Sequence, residues 1–155
     1  MDTGYKMLLL REHPELKDRA VKWYSSKWGI PPSAYEESIS DCIEHPDGIP
    51  QWYLMVDDGG RIIAGCGAIA NDFHKRKDLS PNVCAVYVEP DMRKRGLARI
   101  MLDAVCADLA LLGVRDAYLT TDHTEFYERC GWNFYCMVEE EGGGTARLYH
   151  KGLKA

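Results

Sequence analysis

A chain of 155 residues and 17.6 kDa has the length of one domain and should bury roughly 68–70% of its unfolded surface, enough for a core without disulfide or metal staples. Its composition, 46% hydrophobic and 28% charged, excludes a disordered chain. A net charge of −5 and a pI near 5.5 argue against nucleic acid as a partner.

The longest early apolar run, Met7 to Leu10, is too short for a signal peptide or a membrane span, so the chain reads as a soluble, cytoplasmic, single domain over residues 1–155 with no membrane partner. Tyr5 to Arg11 reads as a first strand. Pro14 stands where a helix starts, and apolar or aromatic residues recur at helical spacing from Leu16 to Trp28. Gly29-Ile30-Pro31-Pro32 stops that helix, because Gly closes helices well and Pro cannot continue them. Ser33 is placed to cap a second helix, Ala34 to Glu44, with Glu36 completing a capping box. Gln51 to Val56 and Arg61 to Ala70 are β-prone runs joined by Asp57-Asp58-Gly59-Gly60, which predicts an antiparallel hairpin.

A polar loop, Asn71 to Pro81, holds Asp72, His74, Lys75, Arg76 and Lys77. Asn82 to Val88 is the next strand, and Glu89-Pro90-Asp91 turns the chain. Arg95 to Leu112 carries the strongest helical pattern: Ala98, Met101, Leu102, Val105, Leu109 and Leu112 share one face, with Arg99, Asp103 and Ala110 opposite. Val114 to Thr121 is a strand, and Asp122, with Glu125 three residues on, caps a short helix to Cys130. Trp132 to Val138 and Thr145 to Lys151 complete the strands. An order that mixes hairpins with crossovers predicts an α+β fold on a mixed sheet.

The six cysteines, Cys42, Cys66, Cys84, Cys106, Cys130 and Cys136, show no C-x-x-C spacing. No His lies three to five residues from another, so no metal is expected. Their scattered positions read as small buried thiols in a reducing compartment.

The most informative segment is the strand to Val88, its turn, and Arg93-Lys94-Arg95-Gly96-Leu97-Ala98 opening a helix. It gathers unpaired amides, a helix's positive end and three cations, which suits a di- or polyphosphate. No G-K-S/T follows, so it is not a Walker loop, and the G-x-G-x-x-G fingerprint is absent.

These residues resemble the pyrophosphate loop, Q/R-x-x-G-x-G/A, of the GNAT superfamily of N-acetyltransferases. Phe126-Tyr127-Glu128-Arg129-Cys130-Gly131-Trp132 is similar to that family's F-Y-x-K/R-x-G-F/W segment, in the family's order. The resemblance implies an α/β/α arrangement: a mostly antiparallel sheet of about seven strands, splayed at its central strands and flanked by about four helices. It implies acetyl-CoA as co-substrate, its pantetheine arm on the backbone of Val86, Tyr87 and Val88 and its phosphates on Arg93, Lys94, Arg95, Gly96, Leu97, Ala98 and Arg99. An N–H near Val86 or Tyr87 would polarise the thioester carbonyl, and Tyr127 would protonate the departing thiolate. Two departures stand out: Lys94 lies where the family often has Gly, and Thr121-Asp122-His123-Thr124 replaces a frequent Asn.

An ammonium acceptor must lose a proton before attack. Glu89, Asp72, His74 and His123 are the candidates, with Glu89 preferred, while Asp122 and His123 read equally well as capping residues. Cys84, with no His partner, reads as core packing rather than as a nucleophile. The acceptor region carries Trp23, Tyr24, Trp28 and Tyr35 with Glu36, Glu37 and Asp41, a mixture that suits an amine. Trp28, Tyr35 and His74 are the substrate-binding candidates, although the aromatics read equally well as core or dimer contacts. The expected function is transfer of acetyl to a small-molecule primary amine in a ternary complex. The alternatives are a protein or peptide N-acetyltransferase and a non-catalytic CoA sensor. A homodimer is compatible with the sequence.

Overall fold

The computed structural model describes residues 4–154. Seven strands follow the order β1-β2-β3-β4-β5-β7-β6: β1 Tyr5–Leu9, β2 Gln51–Asp57, β3 Ile62–Ile69, β4 Asn82–Val88, β5 Asp116–Thr121, β6 Asn133–Glu139 and β7 Thr145–Gly152. The helices are α1 Lys17–Trp28, α2 Pro32–Glu44, α3 Leu97–Leu111 and the single turn α4 Phe126–Arg129. β4 and β5 are parallel, whereas β1–β2, β5–β7 and β6–β7 are antiparallel, so the sheet is mixed, as the element order requires. None of the described helices is long and apolar enough to cross a membrane.

Two compact units share the chain, residues 4–67 with 85–101 and residues 68–84 with 102–154. In the first, α1 and α2 bury an aromatic core against β2. Tyr24, Tyr35 and Trp52 meet at centroid distances of 4.9 to 5.7 Å. The Tyr24 hydroxyl donates to Tyr53 O at 2.6 Å and has Cys66 O at 3.1 Å as a second acceptor. Trp52 Nε1 donates to Ser38 Oγ on α2, which fixes its ring. β2 is buried from Gln51 to Val56, and from Trp52 to Val56 it reads as a continuous apolar run without alternation. The β2–β3 hairpin closes through Gly60 N to Asp57 O and Asp57 N to Arg61 O, both 3.0 Å.

β1 ends at Leu9 rather than Arg11, because Leu10–Glu12 form a 3-10 turn, β5 starts at Asp116 rather than Val114, and α3 starts at Leu97 rather than Arg95; two helix starts also lack the expected caps. α2 begins at Pro32 behind the extended Pro31 and carries no side-chain cap; the prolines supply a pre-set φ and need no N–H partner, so Ser33 lies inside the first turn. Glu36 instead pairs with Lys17 at 2.9 Å. In the second unit, α4 starts after Glu125 with no side-chain cap, and Asp122 is exposed. On α3 the buried face holds Met101, Leu102, Val105 and Leu109 as expected, but it also takes in Cys106 and Ala110, while Leu111 is 78% exposed.

The second unit packs Leu79 with Val138 of β6 and Ala146 and Leu148 of β7, and Tyr118 and Cys136 lie against this cluster. Its polar centre is a buried knot: His74 Nε2 lies 2.6 Å from Asn82 Oδ1, Asn82 Nδ2 donates to Leu79 O, and Asn82 Oδ1 accepts from Asp72 N. The Arg76 amide donates to His74 Nδ1, so Nε2 carries the proton.

Gly67 tests the aromatic core. A Cβ there would meet the Trp52 ring at 2.6 Å, and that ring is held by Ser38 and two tyrosines. Gly67→Ala should therefore lower unfolding free energy by about 1–3 kcal/mol, read as a shifted urea midpoint with an unchanged slope.

Candidate active site

The first unit builds a site around the end of β4. Within this strand Ala85 has φ 53, a left-handed conformation that costs a non-glycine residue roughly 1–2 kcal/mol. Beyond it Val86 and Tyr87 are half-buried, although Val83 and Cys84 before it are core. This stretch, with Val88 buried at its end, is the one expected to pair with an extended ligand arm.

Glu89 follows the last residue of the strand and is tied three ways. Its N–H donates to Ile63 O of β3 at 2.8 Å. Its Oε2 accepts from Trp23 Nε1 and from Lys27 Nζ, each at 2.9 Å. Trp23 and Lys27 stand four residues apart on α1 and so share a face. The Lys27 ammonium lies 4.9 Å from the Trp23 ring centroid and 4.7 Å from that of Tyr87. Trp28 packs edge-on against Tyr87 at 5.6 Å and is 43% exposed. Burial pushes the Glu89 carboxyl up, but the Lys27 and Trp23 hydrogen bonds and the charges of Lys27 and Arg61 outweigh it, leaving the group below its ordinary value.

Past Glu89 the turn is held by charge. Arg61 makes two bonds to Asp91, at 2.8 and 2.9 Å. Arg93 folds back so that Nε donates to Val88 O at 2.8 Å, with its guanidinium 5.2 Å from the Tyr87 centroid. Lys94 has φ 64 and Gly96 φ 75, so the loop carries two left-handed residues, one of them a lysine. The first helical bond runs from Ile100 N to Gly96 O, which leaves the amides of Gly96, Leu97, Ala98 and Arg99 without intrahelical acceptors. A Cβ built on Gly96 meets nothing within 4 Å, so the space beside these amides is open. Lys94, Arg95 and Arg99 are exposed. Open amides, a helix's positive end and three exposed cations fit a polyphosphate.

The second unit holds Tyr127 and His74. Tyr127 is 8% exposed on α4, and its carbonyl accepts from Trp132 N at 2.9 Å. The segment is anchored through its neighbour: the Tyr149 hydroxyl donates to Glu128 Oε2 at 2.8 Å, with Thr124 O at 3.1 Å as an alternative, and Arg147 donates to Tyr149. His74 is fully buried with both ring nitrogens engaged in the knot with Asn82 and Arg76. That places it among packing residues rather than facing an acceptor. Tyr35, at 5% exposure between Tyr24 and Trp52, is core in the same way. Asp72 differs from Glu89: burial foremost, with the charge of Glu140, raises its carboxyl above the ordinary value against the pull of His74. His123 is exposed, and its backbone N–H donates to Thr121 Oγ1. Among the described residues, no group of three or more His, Cys, Asp or Glu is placed to hold a metal.

The sequence reading missed Lys27 and the conformation of Ala85. The i,i+4 pair Trp23 and Lys27 was the available signal for the first. Nothing in an alanine announces a positive φ.

Residues 13–132 match the family described as the acetyltransferase (GNAT) family. No curated protein matches the sequence. Among solved structures, the chain is similar to spermidine N-acetyltransferase from Vibrio cholerae in complex with CoA and spermine (TM-score 0.62, 16% identity, covering 98% of this chain and 97% of the other). It is similar to a GNAT superfamily phosphinothricin acetyltransferase from Sinorhizobium meliloti in complex with acetyl-CoA (TM-score 0.65, 13% identity, 98% and 90%). It also resembles aminoglycoside 6'-acetyltransferase type Ii (TM-score 0.63, 21% identity, 92% of each chain). At these identities the likeness is one of fold.

The lowered Glu89 carboxyl sets a pH dependence. A group whose folded value lies below its unfolded one contributes stability in full above the unfolded value and loses it as the pH falls through the folded value. The stability difference between wild type and Glu89→Gln should thus be largest well above the ordinary value of 4.5 and shrink as the pH drops below it. Urea titrations of both proteins across the acid range check this.

Proposed function

This chain belongs to the acetyltransferase (GNAT) family, and from that premise we propose that it transfers the acetyl group of acetyl-CoA to the primary amine of a small molecule by direct attack in a ternary complex. The observation that carries this reading is the segment from Val86 to Arg99. A half-buried strand end runs through a charge-held turn into a helix start with open amides and exposed cations. The backbone of Val86, Tyr87 and Val88 is assigned to the pantetheine arm. Arg93 through Arg99 are assigned to the phosphates, with Arg93 acting through the loop, since its own guanidinium is bound to Val88 O.

Catalysis then needs three things. The thioester carbonyl gathers negative charge as the amine adds, and a backbone N–H near Val86 or Tyr87 stabilises it. The amine nitrogen forms its bond to the acetyl carbon as the carbon–sulfur bond breaks. The thiolate takes a proton, which we assign to the Tyr127 hydroxyl. Glu89 is held ionised by Lys27 and Trp23. It is therefore a better binder of an ammonium than a strong base, and the acceptor's proton passes on to water. The structures of spermidine and aminoglycoside acetyltransferases among the neighbours support a small amine as acceptor. We place the protein in a reducing, cytoplasmic setting, because its six cysteines are scattered along the sequence without paired spacing.

Coenzyme A should raise the melting temperature, since a ligand at a hundred times its dissociation constant adds about 2.7 kcal/mol; NAD and ATP should do so far less. Gly96→Asp should abolish the shift by placing a strained, negative residue beside the open amides. An unshifted melting curve for wild type with CoA overturns the assignment.

Tyr127→Phe removes one hydroxyl and keeps the ring. With a thiolate as leaving group, kcat should fall on the order of 10²-fold, at the low end for general acids, while the CoA-induced melting shift stays. A kcat within twofold of wild type makes Tyr127 a packing residue.

A further inference from the structure

Lys27 occupies a place whose chemistry suits an ammonium from elsewhere. Its Nζ lies against the rings of Trp23 and Tyr87 at 4.9 and 4.7 Å and bonds to Glu89 Oε2 at 2.9 Å. Two aromatic rings and one carboxylate around a cationic nitrogen form the arrangement that recognises a protonated alkylamine. Each of the three surrounding groups also has a contact that does not involve Lys27. Trp23 is fixed by its own bond to Glu89 and an edge contact with Tyr24 at 4.9 Å. Tyr87 is fixed by contacts with Trp23 and Trp28, and Glu89 by its backbone bond to Ile63.

Lys27 itself is the movable part. It sits in the last turn of α1, just before the left-handed Gly29, on a four-carbon stem with freely rotating bonds. Its side chain is 14% exposed, so a way out to solvent exists. With Lys27 in place, one positive and one negative charge cancel. With Lys27 turned out, two ring faces and an ionised carboxylate are left for one ammonium, and they cannot hold two at once.

We propose that Trp23, Tyr87 and Glu89 form the subsite for the acceptor's ammonium, and that Lys27 is an internal competitor which an unbranched primary alkylammonium displaces. The fate of the bound amine rests on the acetyltransferase reading; its binding does not. The subsite favours a slim –CH2–NH3+ group, because it is with such a group that Lys27 reaches both rings and Glu89 at once. Lys27 thereby raises the concentration of amine needed without touching the acetyl group.

The test is calorimetric titration of 1,4-diaminobutane into the protein, with and without CoA, as wild type, Lys27→Met and Lys27→Arg. Methionine keeps the apolar stem and removes the competing charge, so its dissociation constant should be about tenfold lower than that of wild type. Arginine keeps a cation beside the two rings and should bring no tightening. Lys27→Gln serves the same purpose should the methionine variant fail to fold. Equal or weaker binding by the folded neutral variant overturns the proposal, as does absence of diaminobutane binding in all the proteins. A missing CoA-induced melting shift would count against the acetyltransferase reading alone, since amine affinity is measured separately.

Discussion

The ion pair between Lys27 and Glu89 carries the organisation of the first unit's site. It ties the last turn of α1 to the residue that follows β4, while the same glutamate's N–H holds β3. With side chains 14% and 16% exposed, the pair is largely withdrawn from water. Its desolvation offsets much of its attraction, so its worth is in position more than in net stability. Removing either partner alone leaves a charge in a poorly hydrated place, which is the costly case. The aromatic groups around it, Trp23 and Tyr87, follow from the same need.

From that anchor the charges along the loop divide into two kinds. Arg61 and Arg93 are spent on structure, the first gripping Asp91 and the second covering Val88 O. Lys94, Arg95 and Arg99 stay exposed. A basic run in sequence looks uniform, but in the fold its members are held differently. The backbone is strained in the same stretch. Ala85 and Lys94 both take positive φ, where each pays roughly 1–2 kcal/mol. Such strain persists where surrounding contacts over-determine the chain, and it marks sites of function. Lys94 is also the residue that departs from the family's usual glycine; it adopts the conformation a glycine would take at no cost and adds a charge.

The fold was legible because its signals are local. Gly29 and the prolines bounded α1 and α2, the Asp57 to Gly60 turn set the hairpin, and the apolar face of α3 fixed its orientation. That a helix opens just after Arg93 to Gly96 was legible, because a glycine before an apolar periodic run marks such a start. What stayed hidden depends on tertiary partners. Tyr35 and Trp28 are alike in sequence, yet Tyr35 lies in the core with Tyr24 and Trp52 while Trp28 is 43% exposed. His74 looked reactive in a polar loop, but Asn82 and the Arg76 amide use both of its nitrogens. Lys27 was unremarked because its partner lies 62 residues away.

The central claim is that the Val86 to Arg99 segment presents an acetyl group to an amine. Thiol release from acetyl-CoA, followed with a panel of primary amines against hydroxyl isosteres of the same shape, measures it directly. The account predicts release that depends on a primary amine, with one acetylated amine formed for each thiol and none with the hydroxyl compounds. Tight binding of acetyl-CoA with no amine-dependent thiol release across the panel would contradict it and leave a CoA-binding protein without transfer.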